Sequence, residues 1–157
     1  MEQGIKLEPK FFTGDELDKL YDIANQQLKE VNYYHWVNKT KPDDIVTMLD
    51  HVEFIFIDNT SICFSASELC DAIELYDFDF NATNKDLFDT FEGDLYVRKT
   101  PKSEEQIWQQ LMQLDISEVL LEANEKNKFF SDKITLKFGR EKMVIQVTPT
   151  GLVVKLG

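Results

Sequence analysis

The apolar positions of this chain change period along its length. Leu17, Leu20, Tyr21, Ala24, Leu28 and Val31 fall on one face of a helix. Thr13 and Glu16 stand at capping-box spacing, so each can satisfy the other's free backbone N–H. Phe12 and Leu17 suit a hydrophobic staple, and Asp15, Glu16 and Asp18 complement the positive end of the helix dipole. The pattern predicts an amphipathic helix over 14–31. The run "VNYYHWVNKTKPDD" is expected to end it and lead into a loop around Pro42.

From residue 45 the period becomes two. "IVTML", "VEFIFI" and "TSICFSA" are short, rich in β-branched and aromatic residues, and bounded by polar turns. Asp58-Asn59 is expected to close a tight hairpin. "VEFIFI" sets Val52, Phe54 and Phe56 against Glu53, Ile55 and Ile57, and its apolar character on both sides predicts a central strand covered on both faces. In "AIELYDFDF", Ile73, Leu75 and either Phe78 or Phe80 are expected to point inward. A short helix near 84–91 follows, capped by Thr83 or Asn84 and closed by Gly93, and then the strand "LYVRK". Ser103 and Gln106 repeat the capping-box spacing and predict a second helix with Ile107, Trp108, Leu111 and Leu114 as its stripe. "ISEVLLEA", "DKITLKF", "MVIQV" and "LVVKL" read as a β meander turning at Gly139-Arg140 and Pro149-Thr150-Gly151. The segment 124–131 is the expected mobile loop.

These elements predict one α+β domain spanning residues 1–157, with neither repeat nor linker. Its frame is about eight short, mainly antiparallel strands, an N-terminal amphipathic helix and a second helix packed on the sheet.

Charge narrows the partners. The formal net charge is −12, which argues against a nucleic-acid backbone as ligand. Residues 51–100 hold 11 acidic and 3 basic side chains, so two-thirds of the excess sits in the middle third. Within it, Glu68, Asp71, Glu74, Asp77, Asp79, Asp86, Asp89, Glu92 and Asp94 stand against Lys85 alone. Such a stretch reads either as a solvated surface or as a face that steers a basic protein partner. An immunity or inhibitor protein against a basic toxin is one expression of the second reading. No apolar run approaches the roughly 18 residues of a membrane-crossing helix. "MEQGIKLEPKFF" lacks the apolar core of a secretory signal, and two cysteines make no disulfide framework. A reduced, cytoplasmic protein without a cofactor is expected.

Chemical motifs are sparse. Asp77, Asp79 and Asn81 begin like a calcium loop, but Ala82 stands where the sharp turn needs glycine and Phe88 where the bidentate Glu belongs. No metal site is expected, and alternation along a strand accounts for the spacing. Tyr33, Tyr34, His35 and Trp36 form the alternative site, an aromatic-lined patch for a small molecule or for an enzyme pocket. The competing role for the same four residues is core packing. His51 beside Asp50 and the lone Cys63 complete no nucleophile, base and orienting group in the sequence. The reading therefore leans against catalysis and names no catalytic residue. The oligomeric state is not legible.

Overall fold

The computed structural model describes residues 8–157. Residues 1–7, which carry most of the stretch read against a secretory signal, lie outside the described residues. The N-terminal helix starts where its signals put it. Helix α1 spans Gly14–Asp22. The Thr13 hydroxyl accepts from Glu16 N at 3.2 Å, and the Glu16 carboxylate accepts from Thr13 N at 3.0 Å.

The helix does not reach residue 31. Asn25 takes a left-handed backbone (φ +68°), and the chain enters strand β1, Leu28–Asn38, followed by β2, Val46–Phe56. The cause is a β-bulge. Leu28 pairs with Phe56 and Val31 with Phe54, with a register shift between Leu28 and Glu30. The extra residue, Lys29, puts Leu28 and Val31 on one face of a strand at a spacing that imitates a helix. Pairing of β1 on both sides then outweighs local periodicity. A second bulge lies where a break between two strands was expected. "IVTML" and "VEFIFI" form one eleven-residue strand, and Asp50 is its extra residue, between the pairs Tyr34↔His51 and His35↔Leu49.

Strand β3 is Ser61–Ala66, β4 Ile73–Leu75 and β5 Leu95–Pro101, giving a five-stranded antiparallel sheet in the order β4-β3-β2-β1-β5. The β2–β3 hairpin turns at Asp58-Asn59 as expected, with Asn59 at φ +67°. β2 is central. Its Val52, Phe54 and Phe56 are buried, but Glu53 and Ile55 are only half-buried and Ile57 is exposed. The second face is thus not fully covered.

Helix α2 spans Phe80–Phe91, four residues longer at its start than expected. Asp79 caps it, accepting from Ala82 N at 3.0 Å. Helix α3 is Gln106–Leu111 and has no side-chain cap. The predicted Ser103 cap is absent because that hydroxyl accepts from Val31 N at 3.0 Å instead. A second sheet, β6 Glu118–Leu120, β7 Lys133–Phe138, β8 Glu141–Thr148 and β9 Gly151–Leu156, is the expected meander in the order β6-β7-β8-β9. The segment read as mobile is stitched down. Asn124 Oδ1 accepts from Lys126 N and Lys128 N, and Phe130 N and Ser131 N donate to Glu122 O and Lys10 O.

The described residues thus make the expected α+β fold, with nine strands in two sheets and three helices. The core lies between the sheets. The row Leu28, Val31, Val52, Phe54, Phe56, Ile62, Phe64, Ile73 and Leu75 faces Ile134, Leu136, Phe138, Ile145 and Leu152, with Trp108 and Leu111 of α3 sealing one side.

Candidate functional site

The strand order fixes the path of the acidic segment. The chain leaves the five-stranded sheet at one edge, β4, and re-enters at the other, β5. Residues 76–94 must therefore cross the whole sheet on the face away from the core. Phe78 stacks on His51 of β2 (centroids 3.9 Å apart, planes 17° apart) and meets Tyr34 of β1 edge-on at 5.1 Å. Phe80 packs on Tyr34 at 5.4 Å. Asn84 of α2 then receives Val97 N at 2.7 Å and donates to Val97 O at 2.8 Å on β5. Neither phenylalanine points into the core as expected: both are half-buried on the sheet's other face, where they cover Tyr34 and His51.

Beneath the crossing lies a buried polar network. The bulge turns Asp50 and His51 to one face. His51 Nε2 lies 2.9 Å from Asp50 Oδ2, which also accepts from Trp36 Nε1 at 2.6 Å. His51 Nδ1 lies 2.6 Å from Ser65 Oγ, and Cys63 Sγ is 3.6 Å beyond. A carboxylate only accepts, so a neutral His51 keeps its proton on Nε2 and accepts the Ser65 hydroxyl proton at Nδ1. Alongside, Glu53 accepts from Asn32 Nδ2 and Tyr34 O–H, each at 3.0 Å. Ser65, His51 and Asp50 have the connectivity of nucleophile, base and orienting group. Burial opposes that role. Ser65 is 0% exposed and His51 2%, while the Asp50 side chain is 14% exposed. Burial also pushes the Cys63 thiol up to about 12, which keeps it protonated and unreactive at neutral pH. Burial and the Glu53 charge raise the Tyr34 phenol. A cleft of about 510 Å³ opens where β4 stops short of the first half of β3. Lys19, Asp22, Gln26, Cys63, Tyr76 and Asp77 are among its lining.

The aromatic run is split by strand alternation. Tyr33 and His35 share the core-side face, where Trp108 Nε1 donates to the Tyr33 hydroxyl at 3.1 Å. Burial pushes that phenol up to about 12. Burial, followed by the charges of Arg98 and Lys102, lowers the His35 pKa. Tyr34 and Trp36 lie on the opposite face, beneath the crossing. The four residues are two pairs on two faces, not one surface.

The nine acidic residues lie along the loop from β3 to β4, on β4, along the crossing and on α2. Eight are exposed and Asp71 is half-buried. Two are in local use. Asp79 caps α2. Asp71 is held below the usual carboxylate range by the Ser67 hydroxyl and by Lys10, 3.1 Å away. Among the described residues no group of three or more His, Cys, Asp or Glu is placed to hold a metal ion. Nor is any helix long and apolar enough to cross a membrane.

The composition count picked out the acidic stretch but not the network under it, because the only hint, His51 beside Asp50, acquires meaning through a bulge and through Ser65 on a neighbouring strand. Set against protein-family models, curated proteins and solved structures, the chain matches none of them, so its functional reading rests on these residues alone.

Proposed function

We propose that this chain is an acidic interaction module that binds a basic protein through the face carried by residues 68–94, as an immunity or inhibitor protein would. One observation carries the reading: eight of the nine acidic side chains there are exposed, and Lys85 alone opposes them within the stretch. The buried network supports it by giving the crossing a rigid seat, with Phe78 clamped on His51 and Asn84 tied to β5. Both cysteines are free, which suits the cytoplasm, where thiols stay reduced.

The test is capture of partners from native lysate on the full chain, then reconstitution with the purified partner. A basic protein is expected, and its association rate should fall by roughly 10- to 1,000-fold between low and high salt. Asp86→Lys, Asp89→Lys and Glu92→Lys together should abolish that salt dependence with little change in melting temperature. A partner indifferent to salt and to charge reversal sinks the reading.

A second reading keeps the small-molecule or enzymatic alternative, and the Ser65–His51–Asp50 chain favours it. In it, Tyr34 and Trp36 belong to a site that opens when residues 76–80 lift, with the 510 Å³ cleft beside Cys63 and Tyr76 as the ligand's place. A fluorophosphonate probe discriminates. The acidic-module reading predicts no labelling of native protein over hours, since Ser65 is sealed. Labelling at Ser65 that is lost in His51→Gln would transfer the assignment to the second reading.

A further inference from the structure

Helix α2 carries more apolar surface than its own sheet covers. None of its residues is fully buried. Phe88 is 64% exposed and Phe91 39%, and their spacing of three puts them on neighbouring positions of one helical face. Beside Phe88 a groove of about 570 Å³ runs between the helix and the start of β5, lined by Asn84, Lys85, Phe88, Asp89, Leu95 and Tyr96. That volume falls in the range of about 300–1,000 Å³ typical of ligand pockets. The groove has a fixed back wall, because the paired Asn84–Val97 hydrogen bonds hold the helix at the free edge of β5. Large apolar side chains left in water beside a rimmed depression mark a contact surface.

Charge selects the occupant. Asp89 lines the groove beside Lys85, and Asp86, Glu92 and Asp94 are exposed on the same helix and the turn after it. On the β5 side Lys39 Nζ stands 5.4 Å from the Tyr96 ring centroid, so that ring already holds a cation and the acidic residues of the helix supply the attraction. A second copy of the chain is disfavoured, since each copy brings a net charge of −12.

We propose that the groove between α2 and β5 is the anchoring point of the acidic face, taking a bulky apolar side chain from a segment rich in lysine and arginine, with Phe88 as its floor. The proposal rests on the reading of the chain as a partner for basic proteins and locates the contact within it. The carboxylates bring the segment in, and desolvation of Phe88 against the apolar anchor holds it there, as buried aromatic contacts do at interface hot spots.

The test pans a phage-displayed random peptide library against the full chain and against two variants. One is Phe88→Ser, at an exposed position where the fold is expected to hold, confirmed by an unchanged thermal melt. The other is Asp86→Lys with Asp89→Lys and Glu92→Lys. Enriched peptides should pair an aromatic or large aliphatic residue with several Lys or Arg. Their affinity should fall about tenfold or more on Phe88→Ser, and on the wild type their amide shift perturbations should centre on residues 84–96. Basic peptides that bind wild type and Phe88→Ser equally, yet fail on the charge-reversed variant, would overturn the groove and keep the acidic face. Enrichment of neutral or acidic peptides, or of none, would overturn both. A dimer in sedimentation that Phe88→Ser dissolves would assign the groove to a second copy and overturn the proposal.

Discussion

Replacing Trp108 with alanine is expected to cost about 3–5 kcal/mol of folding stability. The indole is 1% exposed. It meets Phe54 at 5.6 Å between ring centroids with planes 68° apart, and Tyr33 at 6.4 Å with planes 89° apart. Edge-to-face pairs of this kind add about 0.5–1.5 kcal/mol each beyond the buried area. The indole N–H also donates to the Tyr33 hydroxyl at 3.1 Å, a group whose pKa burial already drives up to about 12. Truncation therefore opens a cavity and removes a hydrogen bond from the half-buried phenol. Short helix α3 lacks a side-chain cap, so Trp108 and Leu111 hold it to the core in place of local signals. A loss of this size is a large share of a typical stability of about 5–15 kcal/mol. Urea titration should show a lowered midpoint with an unchanged slope. Trp108→Phe, which keeps a ring but not the donor, should cost only about 1–2 kcal/mol. If Trp108→Ala costs less than about 1 kcal/mol, α3 does not seal the core.

What the sequence revealed depended on whether each signal was local. The Thr13 and Glu16 cap is a contact of three residues' separation, and it formed as read. The terminal meander also followed from local alternation, with Ile134, Leu136 and Phe138 all fully buried. The errors arose where a distant partner decided the outcome. Leu28 and Val31 imitate a helical face only because Lys29 bulges out of a strand pair that local reading cannot see. Ser103 had the spacing of a cap but gave its oxygen to Val31, far away in sequence. The site was legible to a similar degree. The acidic residues are evident from the charge pattern, whereas the path of residues 76–94 across the sheet follows from the strand order β4-β3-β2-β1-β5. The Asp50–His51–Ser65 network needed that register as well as the bulge.

Gly151→Ala is the second substitution with a large expected effect, about 2–6 kcal/mol, and it tests how the two sheets are joined. β9 begins at this glycine with φ +113°, a conformation that a residue with a Cβ adopts only under strain of about 1–3 kcal/mol. A Cβ here would also stand 2.5 Å from Met48 Cγ and 2.6 Å from the Leu49 carbonyl oxygen. The methionine can swing aside, but Leu49 is backbone within β2, paired with His35. Relief therefore requires β9 to move off the central strand of the other sheet, an overpacking cost of about 1–3 kcal/mol more. Gly139 supplies the comparison. It sits in the β7–β8 turn at φ +62°, and a Cβ there would meet only Leu114 Cδ1 at 3.7 Å. Gly139→Ala should thus feel the left-handed backbone alone, about 1–2 kcal/mol. Thermal and urea unfolding of both variants separates the two causes. A clearly larger loss at Gly151 means that the seam between sheets is held by backbone approach at Leu49, whereas equal losses would mean that β9 lies over β2 with room to spare and that side chains alone join the sheets.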